Sequence, residues 1–65
     1  MNLKEFANQI TNEYEYYVTV ENNVLFVEAE EEFLTDDFEE ITADVSFMPN
    51  MDCERNGLIL KIWEV

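Results

Sequence analysis

Between Val27 and Glu40 the chain reads VEAEEEFLTDDFEE, in which eight of fourteen side chains are carboxylates and none is basic. The nearest cations in sequence are Lys4 on one side and Arg55 on the other. Carboxylates at this density suit three kinds of chemistry: paired acid–base catalysis, coordination of a hard cation, or recognition of a cationic surface. Glycosidase-type catalysis needs a cleft that holds two acids apart in contrasting environments. A chain of 65 residues has little volume from which to build one, so no enzymatic activity and no catalytic residue is expected. For calcium, DCERNG at residues 52–57 follows the opening of a D-x-[DN]-x-[DN]-G loop. It departs at Glu54, carries Trp63 where a bidentate glutamate is required, and is fully explained as a hairpin turn. No metal or cofactor is expected.

Other chemistries are closed by composition. Histidine is absent, which removes the commonest general base and neutral metal ligand and leaves Cys53 without an imidazole to activate it. A single glycine rules out both GxxxxGK[ST] and GxGxxG. Lys4, Arg55 and Lys61 form no patch. Without a basic groove, Tyr14, Tyr16, Tyr17 and Trp63 read as core and sheet aromatics rather than base-stacking platforms. The net charge of −13, sixteen acids against three bases, argues against direct binding to nucleic acid or anionic lipid and makes any charge-driven partner basic. A lone cysteine and the absence of a long apolar run or secretory leader predict a single domain, residues 1–65, in a bacterial cytoplasm.

These acids need elements to position them. Asn2 caps a first helix, Glu5 completes a capping-box pattern, and Leu3, Phe6, Ala7 and Ile10 form its apolar stripe. YEYYVTV then alternates, Asn22-Asn23 supplies a two-residue turn, and VLFVEAE returns. That register pairs Val20 with Leu25, Val18 with Val27 and Tyr16 with Ala29 on one face. On the other it pairs Thr19 with Phe26, Tyr17 with Glu28 and Glu15 with Glu30. Thr35 is the expected cap of a second helix with Asp36 and Asp37 in its first turn and Leu34, Phe38, Ile41 and Val45 on its stripe. The rival for residues 41–47 is an alternating strand, ITADVSF. Asn56-Gly57 predicts a second hairpin that pairs Cys53 with Leu60, Met51 with Ile62 and Asp52 with Lys61. The expected fold is α+β, order αββαββ, with two helices on one face of an antiparallel sheet of three to four strands. The two caps lie thirty-three residues apart and the two turns thirty-four, as in a repeated αββ plan. LILKIWEV is apolar on both faces, so that strand is either central or covered by a second copy.

The ordinary account of the acids is a solvated face that keeps the protein soluble and favours a helix N-terminus. It explains Asp36 and Asp37 but not like-charged neighbours such as Asp36 with Glu40, Glu40 with Asp44, or Glu15 facing Glu30. Uncompensated conflicts of one sign on one surface are where function is expected. Glu28 and Glu30 on a strand face would stand about 7 Å apart, and carboxylates at i, i+4 on a helix about 6 Å. Both spacings are close to that of successive phosphates. The short, cysteine-poor, acidic α+β chain resembles the small inhibitors encoded by phages and mobile elements, the anti-CRISPR and anti-restriction proteins, several of which mimic nucleic acid. The resemblance is one of size, charge and element order over the whole chain and transfers no individual residue. It implies a non-enzymatic inhibitor that enters the basic groove of an RNA-guided nuclease or, second, a restriction enzyme. Glu28, Glu30, Glu31, Glu32, Asp36, Asp37, Glu39 and Glu40 would meet its Lys and Arg, with Tyr17 and Phe26 as exposed apolar anchors. The alternative is a small adaptor or homodimer that uses Leu58–Val65, with acidity serving solubility alone.

Overall fold

A computed structural model describes residues 2–65 and, within them, every side chain except those of Phe33 and Leu34. The place expected for Leu34 on the second helical stripe lies outside the described residues. The elements are α1 (Leu3–Glu13), β1 (Tyr17–Glu21), β2 (Val24–Glu28), a 3₁₀ turn (Glu32–Asp37), α2 (Phe38–Ser46), β3 (Met51–Asn56) and β4 (Ile59–Glu64). The class is α+β and the order αββαββ, as the sequence predicts. Asn2 is extended, and its Oδ1 accepts from the Glu5 N–H at 2.9 Å, so α1 starts where its cap places it. Leu3, Phe6, Ala7 and Ile10 are its buried stripe.

The first hairpin keeps the expected register from Tyr17–Glu28 to Glu21–Val24. Asn22 and Asn23 both take positive φ, 53° and 63°, as a type I′ turn requires. The ladder then stops. Tyr16–Ala29 and Glu15–Glu30 do not pair, because residues before Tyr17 turn off the sheet and carry Tyr14 and Tyr16 against the core.

Two boundaries differ from expectation. Thr35 caps no helix. Its hydroxyl donates to the Glu32 carbonyl at 2.7 Å inside the 3₁₀ turn, which runs directly into α2, and Asp37 at the helix entry makes no side-chain cap. Asp36 and Asp37 therefore precede α2, its first turn carries Glu39 and Glu40, and of the expected like-charged helical pairs only Glu40 with Asp44 lies within it. Residues 41–46 are helical rather than a strand, with Phe38, Ile41 and Val45 buried.

The second turn is Gly57-Leu58 rather than Asn56-Gly57. Gly57 alone takes positive φ, 62°, the pattern of a type II′ corner. Cys53 thus meets Ile62, Met51 meets Glu64 and Glu54 meets Lys61, in place of the expected partners Leu60, Ile62 and (for Lys61) Asp52. The slip of two preserves the inner and outer faces. It also has a cause. The expected register would set Pro49 opposite Glu64 at a hydrogen-bonded position, and proline has no N–H to donate. In the register adopted, the ladder closes with Val65 N–H on the Asn50 carbonyl at 2.8 Å.

The sheet order is β1-β2-β4-β3, antiparallel throughout, with both helices on one face. β4 is a central strand, and Leu25, Val27, Leu60 and Ile62 of the two middle strands are fully buried. Phe6 and Ile10 of α1 and Phe38, Ile41 and Val45 of α2 close the core over them. The Cα radius of gyration is 10.6 Å, against about 11 Å expected from length. With the corrected boundaries the repeat becomes uniform. Asn2 and Asp37 at the helix entries are thirty-five residues apart, and so are Asn22 and Gly57 at the turns. The pairs Val24–Trp63 and Glu28–Ile59 exchange under that offset while Phe26–Lys61 maps onto itself, which marks an approximate two-fold axis. Residues 31–36 link the halves.

Gly57 tests the turn. An added Cβ would meet nothing within 4 Å, so Gly57→Ala should lose about 1 kcal/mol through the positive φ alone. Gly57→Asn should recover part of that loss in urea unfolding.

Candidate functional site

The strand register fixes one end of the molecule. Tyr17, Glu28, Ile59 and Asn56 stand in a single row across the four strands. At that end α1 finishes, the 31–36 link leaves β2, and α2 begins, with the Phe38 ring 5.2 Å from the Arg55 guanidinium near the end of β3. Along the ring ladder Tyr14–Tyr16–Phe38–Arg55 that spans this end, the structure places Glu40 and Glu13 beside Tyr14 and Asp37 beside Tyr16. Glu32, Asp36 and Glu39 stand around Arg55, and Glu28 and Glu30 with Glu15 next to Tyr16, while Glu31 lies in the link between them. This end is the acidic pole. Glu28 and Glu30 border a common hollow with Glu15, Tyr16 and Tyr17, although Glu30 lies beyond the strand and not on the same strand face as Glu28. Asp36 and Glu39 border another with Thr35 and Arg55. Glu31 is exposed on the link.

Three side chains that sequence reasoning did not assign to the site hold this pole. Arg55 Nη2 donates to the Thr35 hydroxyl at 2.9 Å and to Glu32 Oε1 at 3.3 Å, its Nε donates to the Gly57 carbonyl at 3.1 Å, and the guanidinium lies over Phe38. That places the 3₁₀ turn against the end of β3. Tyr16 lies between Tyr14, stacked on it at 6.0 Å, and Phe38, tilted against it at 5.2 Å. Burial, and then the charge of Asp37, raises the Tyr16 pKa. Tyr14 is pushed up to about 12, first by burial and next by the carboxylate of Glu40. A phenol kept protonated can donate to a carboxylate, so Tyr14 and Tyr16 stand beside Glu40 and Asp37 without neutralising them. The sequence signal for the tyrosines was parity: Tyr14 and Tyr16 continue the inward set of Val18 and Val20. No local signal marks Arg55 for the site: apart from the Gly57 carbonyl, its partners Glu32, Thr35 and Phe38 are all distant in sequence.

Charge compensation is sparse. Among the described residues Arg55 with Glu32 is the one ion pair within 4 Å, and both side chains remain substantially solvated. Lys4 is at the opposite end beside Glu64, and Lys61 stands mid-sheet between Phe26 and Glu54. The proposed apolar anchors separate: Tyr17 is 69% exposed in the polar row, whereas Phe26 is half-buried at the centre of the outer sheet face, not exposed as expected. On that face, which neither helix covers, Ile59 and Trp63 of β4 are also half-buried. β4 itself is hydrogen-bonded on both sides and offers no edge.

Residues 52–57, the partial calcium-loop pattern, form most of β3 and the start of its turn. Among the described residues no group of three or more His, Cys, Asp or Glu is placed to hold a metal ion. Cys53 is half-buried, and burial raises its thiol pKa. No described helix is long and apolar enough to cross a membrane. Compared with known proteins, the chain matches no family model, no curated protein and no solved structure.

The Tyr14 shift has a defined pH signature. A folded-state pKa raised from 10.0 to about 12 contributes stability that is complete below pH 10 and is lost as pH rises through 12. The urea midpoint of the protein should therefore fall more between pH 9 and 11.5 than that of Tyr14→Phe, which lacks the titrating group. Equal falls would mean that Tyr14 does not feel Glu40 and the buried site.

Proposed function

We propose that this chain is a non-enzymatic acidic inhibitor that inserts its carboxylate-rich pole into the basic, nucleic-acid-binding groove of a bacterial defence enzyme. An RNA-guided nuclease is the first candidate target and a restriction enzyme the second. The observation that carries the proposal is the pole itself. Carboxylates from two helix ends, a strand end and a link are collected at one end of a small scaffold, where Arg55 holds Glu32, the phenols of Tyr14 and Tyr16 stand beside Glu40 and Asp37, and one ion pair offsets the charge. A groove lined with Lys and Arg is attracted to such an array as it is to phosphates, with fast, salt-sensitive association. Carboxylates already held by the fold lose less freedom on binding than those of a flexible acidic tail. No bond is made or broken, so inhibition is stoichiometric.

The test is displacement of labelled nucleic acid from a candidate enzyme. Glu30→Lys with Glu31→Lys should weaken displacement by roughly tenfold or more, since each reversal replaces an attraction by a repulsion. Glu5→Lys with Glu21→Lys changes net charge equally but away from the pole, on α1 near its start and at the far end of β1, and should act much less. Equal effects from the two pairs would reduce the pole to bulk charge, and displacement unaffected by raising the salt concentration would remove the proposal.

A second reading, an adaptor or self-associating domain that uses Leu58–Val65, is favoured by the uncovered outer face with Ile59 and Trp63. It requires a sedimentation coefficient that rises with protein concentration and falls back in Trp63→Lys.

A further inference from the structure

The two edges of the sheet, β1 and β3, are related by the thirty-five-residue offset but finished differently. Since Glu21–Val24 and Asn56–Ile59 close the two-residue turns, the N–H and C=O groups of Val18 and Val20 on β1, and of Met51, Cys53 and Arg55 on β3, point away from the sheet. On β3 that edge is partly closed: the Cys53 N–H donates to Asp52 Oδ1 at 2.8 Å and the Met51 N–H to the Met48 carbonyl at 3.3 Å. On β1 the outward groups of Val18 and Val20 have no partner among the described residues. YVTVE carries no lysine, proline or bulge, and its one charge, Glu21, stands at the turn end of the strand. Beside this edge, between β1 and α1, runs an open groove of about 600 Å³ with Ala7, Asn8 and Thr11 on one wall and Val18 and Val20 on the other. Val20 is 47% exposed in it. Thr11 spends its hydroxyl on the Ala7 carbonyl at 2.9 Å, so Ala7 and Thr11 form a small, largely apolar stretch of the helical wall, with the polar side chains of Asn8 and Lys4 beside it.

We propose that the β1 edge and this groove dock an extended segment of another protein, which adds a fifth strand to the sheet and alternates small apolar with basic side chains. Outward backbone groups at Val18 and Val20 are satisfied by a strand and by no other regular element. The residues of the added strand that face Val18 and Val20 enter the groove, where Ala7 and Thr11 leave room for a valine-sized group. Those on the other face pass beside Thr19 and Glu21, with Glu15, Glu28 and Glu30 near the Tyr17 end, so they are Lys or Arg. The same charges argue against a second copy: each chain carries −13, and an edge-to-edge pair would bring Glu21 and the acidic pole of both together. This docking edge shares Glu15, Glu28 and Glu30 with the acidic pole but does not rest on the pole's proposed role.

The probe is a blocked heptapeptide of alternating Lys and Val, titrated into the full chain and followed by amide NMR and hydrogen exchange. Shifts should centre on residues 18–20, and the Val18 and Val20 amides should exchange at least roughly tenfold more slowly when the peptide is bound. Val20→Pro removes only an outward N–H, which an edge position tolerates, and Thr11→Phe fills the groove from an exposed helical site. Each should weaken binding by roughly tenfold while leaving the amide spectrum of a folded sheet. A peptide with proline in place of valine keeps the charge and should not bind at the edge. Glu31→Lys with Glu39→Lys reverses charges of the pole that the edge does not use and should retain residues 18–20 as the binding site, which separates this inference from the function of the pole. Equal binding of the proline peptide, unchanged affinity in both protein variants, or shifts confined to the pole would overturn it. So would slow exchange of the Val18 and Val20 amides in the peptide-free protein accompanied by dimerisation, which would assign the edge to a second copy.

Discussion

The antiparallel contact between β2 and β4 is the interaction on which the rest of the molecule depends. It is the one strand pairing that joins the two αββ halves, and it sets Leu25 against Ile62 and Val27 against Leu60 with all four side chains sealed from water. Burying a side chain of this size is worth about 1.5–3 kcal/mol, so this small cluster supplies a large part of what a 65-residue chain can gather. Helix α1 covers it from one half and α2 from the other. Without that seam each half would be a hairpin with a single helix, too small to hold itself together.

The seam also explains how so much like charge is tolerated. Acids are kept to the helix surfaces, the strand ends, the outer and edge positions of the sheet, and the link, while the middle strands give their inner faces to apolar packing. Where carboxylates crowd most densely, the compensation is not a matching set of cations. It is a ladder of aromatic rings ending in one arginine, in which phenols accept the neighbourhood of acids by keeping their own protons. The pole is thereby organised and still strongly negative.

Much of this was legible in the residues. Asn2 and the Leu3, Phe6, Ala7, Ile10 stripe placed α1, and strict alternation around two asparagines gave the first register from Tyr17–Glu28 to the turn, though not the two pairs expected beyond it. The second hairpin slipped because alternation is blind to a displacement of two: both registers bury the same side chains. The deciding residue was Pro49, well away from the turn. The 3₁₀ turn and the true start of α2 were illegible for another reason. Thr35 resembles a cap by type, but its hydroxyl is engaged by the Glu32 carbonyl and by Arg55, and no window of local sequence contains that second partner. The eight acids of the candidate site could be found as a run, whereas the side chains that hold them could be found only in three dimensions.

The six-residue link between the halves has a consequence of its own. The Leu3 N–H donates to Glu64 Oε1 at 3.0 Å, so the start of α1 lies beside the end of β4. A chain rewritten to begin with α2 and finish with Glu30, its former ends joined by a short bridge, would retain every strand neighbour and both helix contacts. What it would lose is the link from β2 to α2 itself, and with it Glu31, Glu32, Asp36 and the Thr35 hydroxyl that Arg55 holds. The architecture is indifferent to the order in which its halves are written, whereas the charge display at the pole is not.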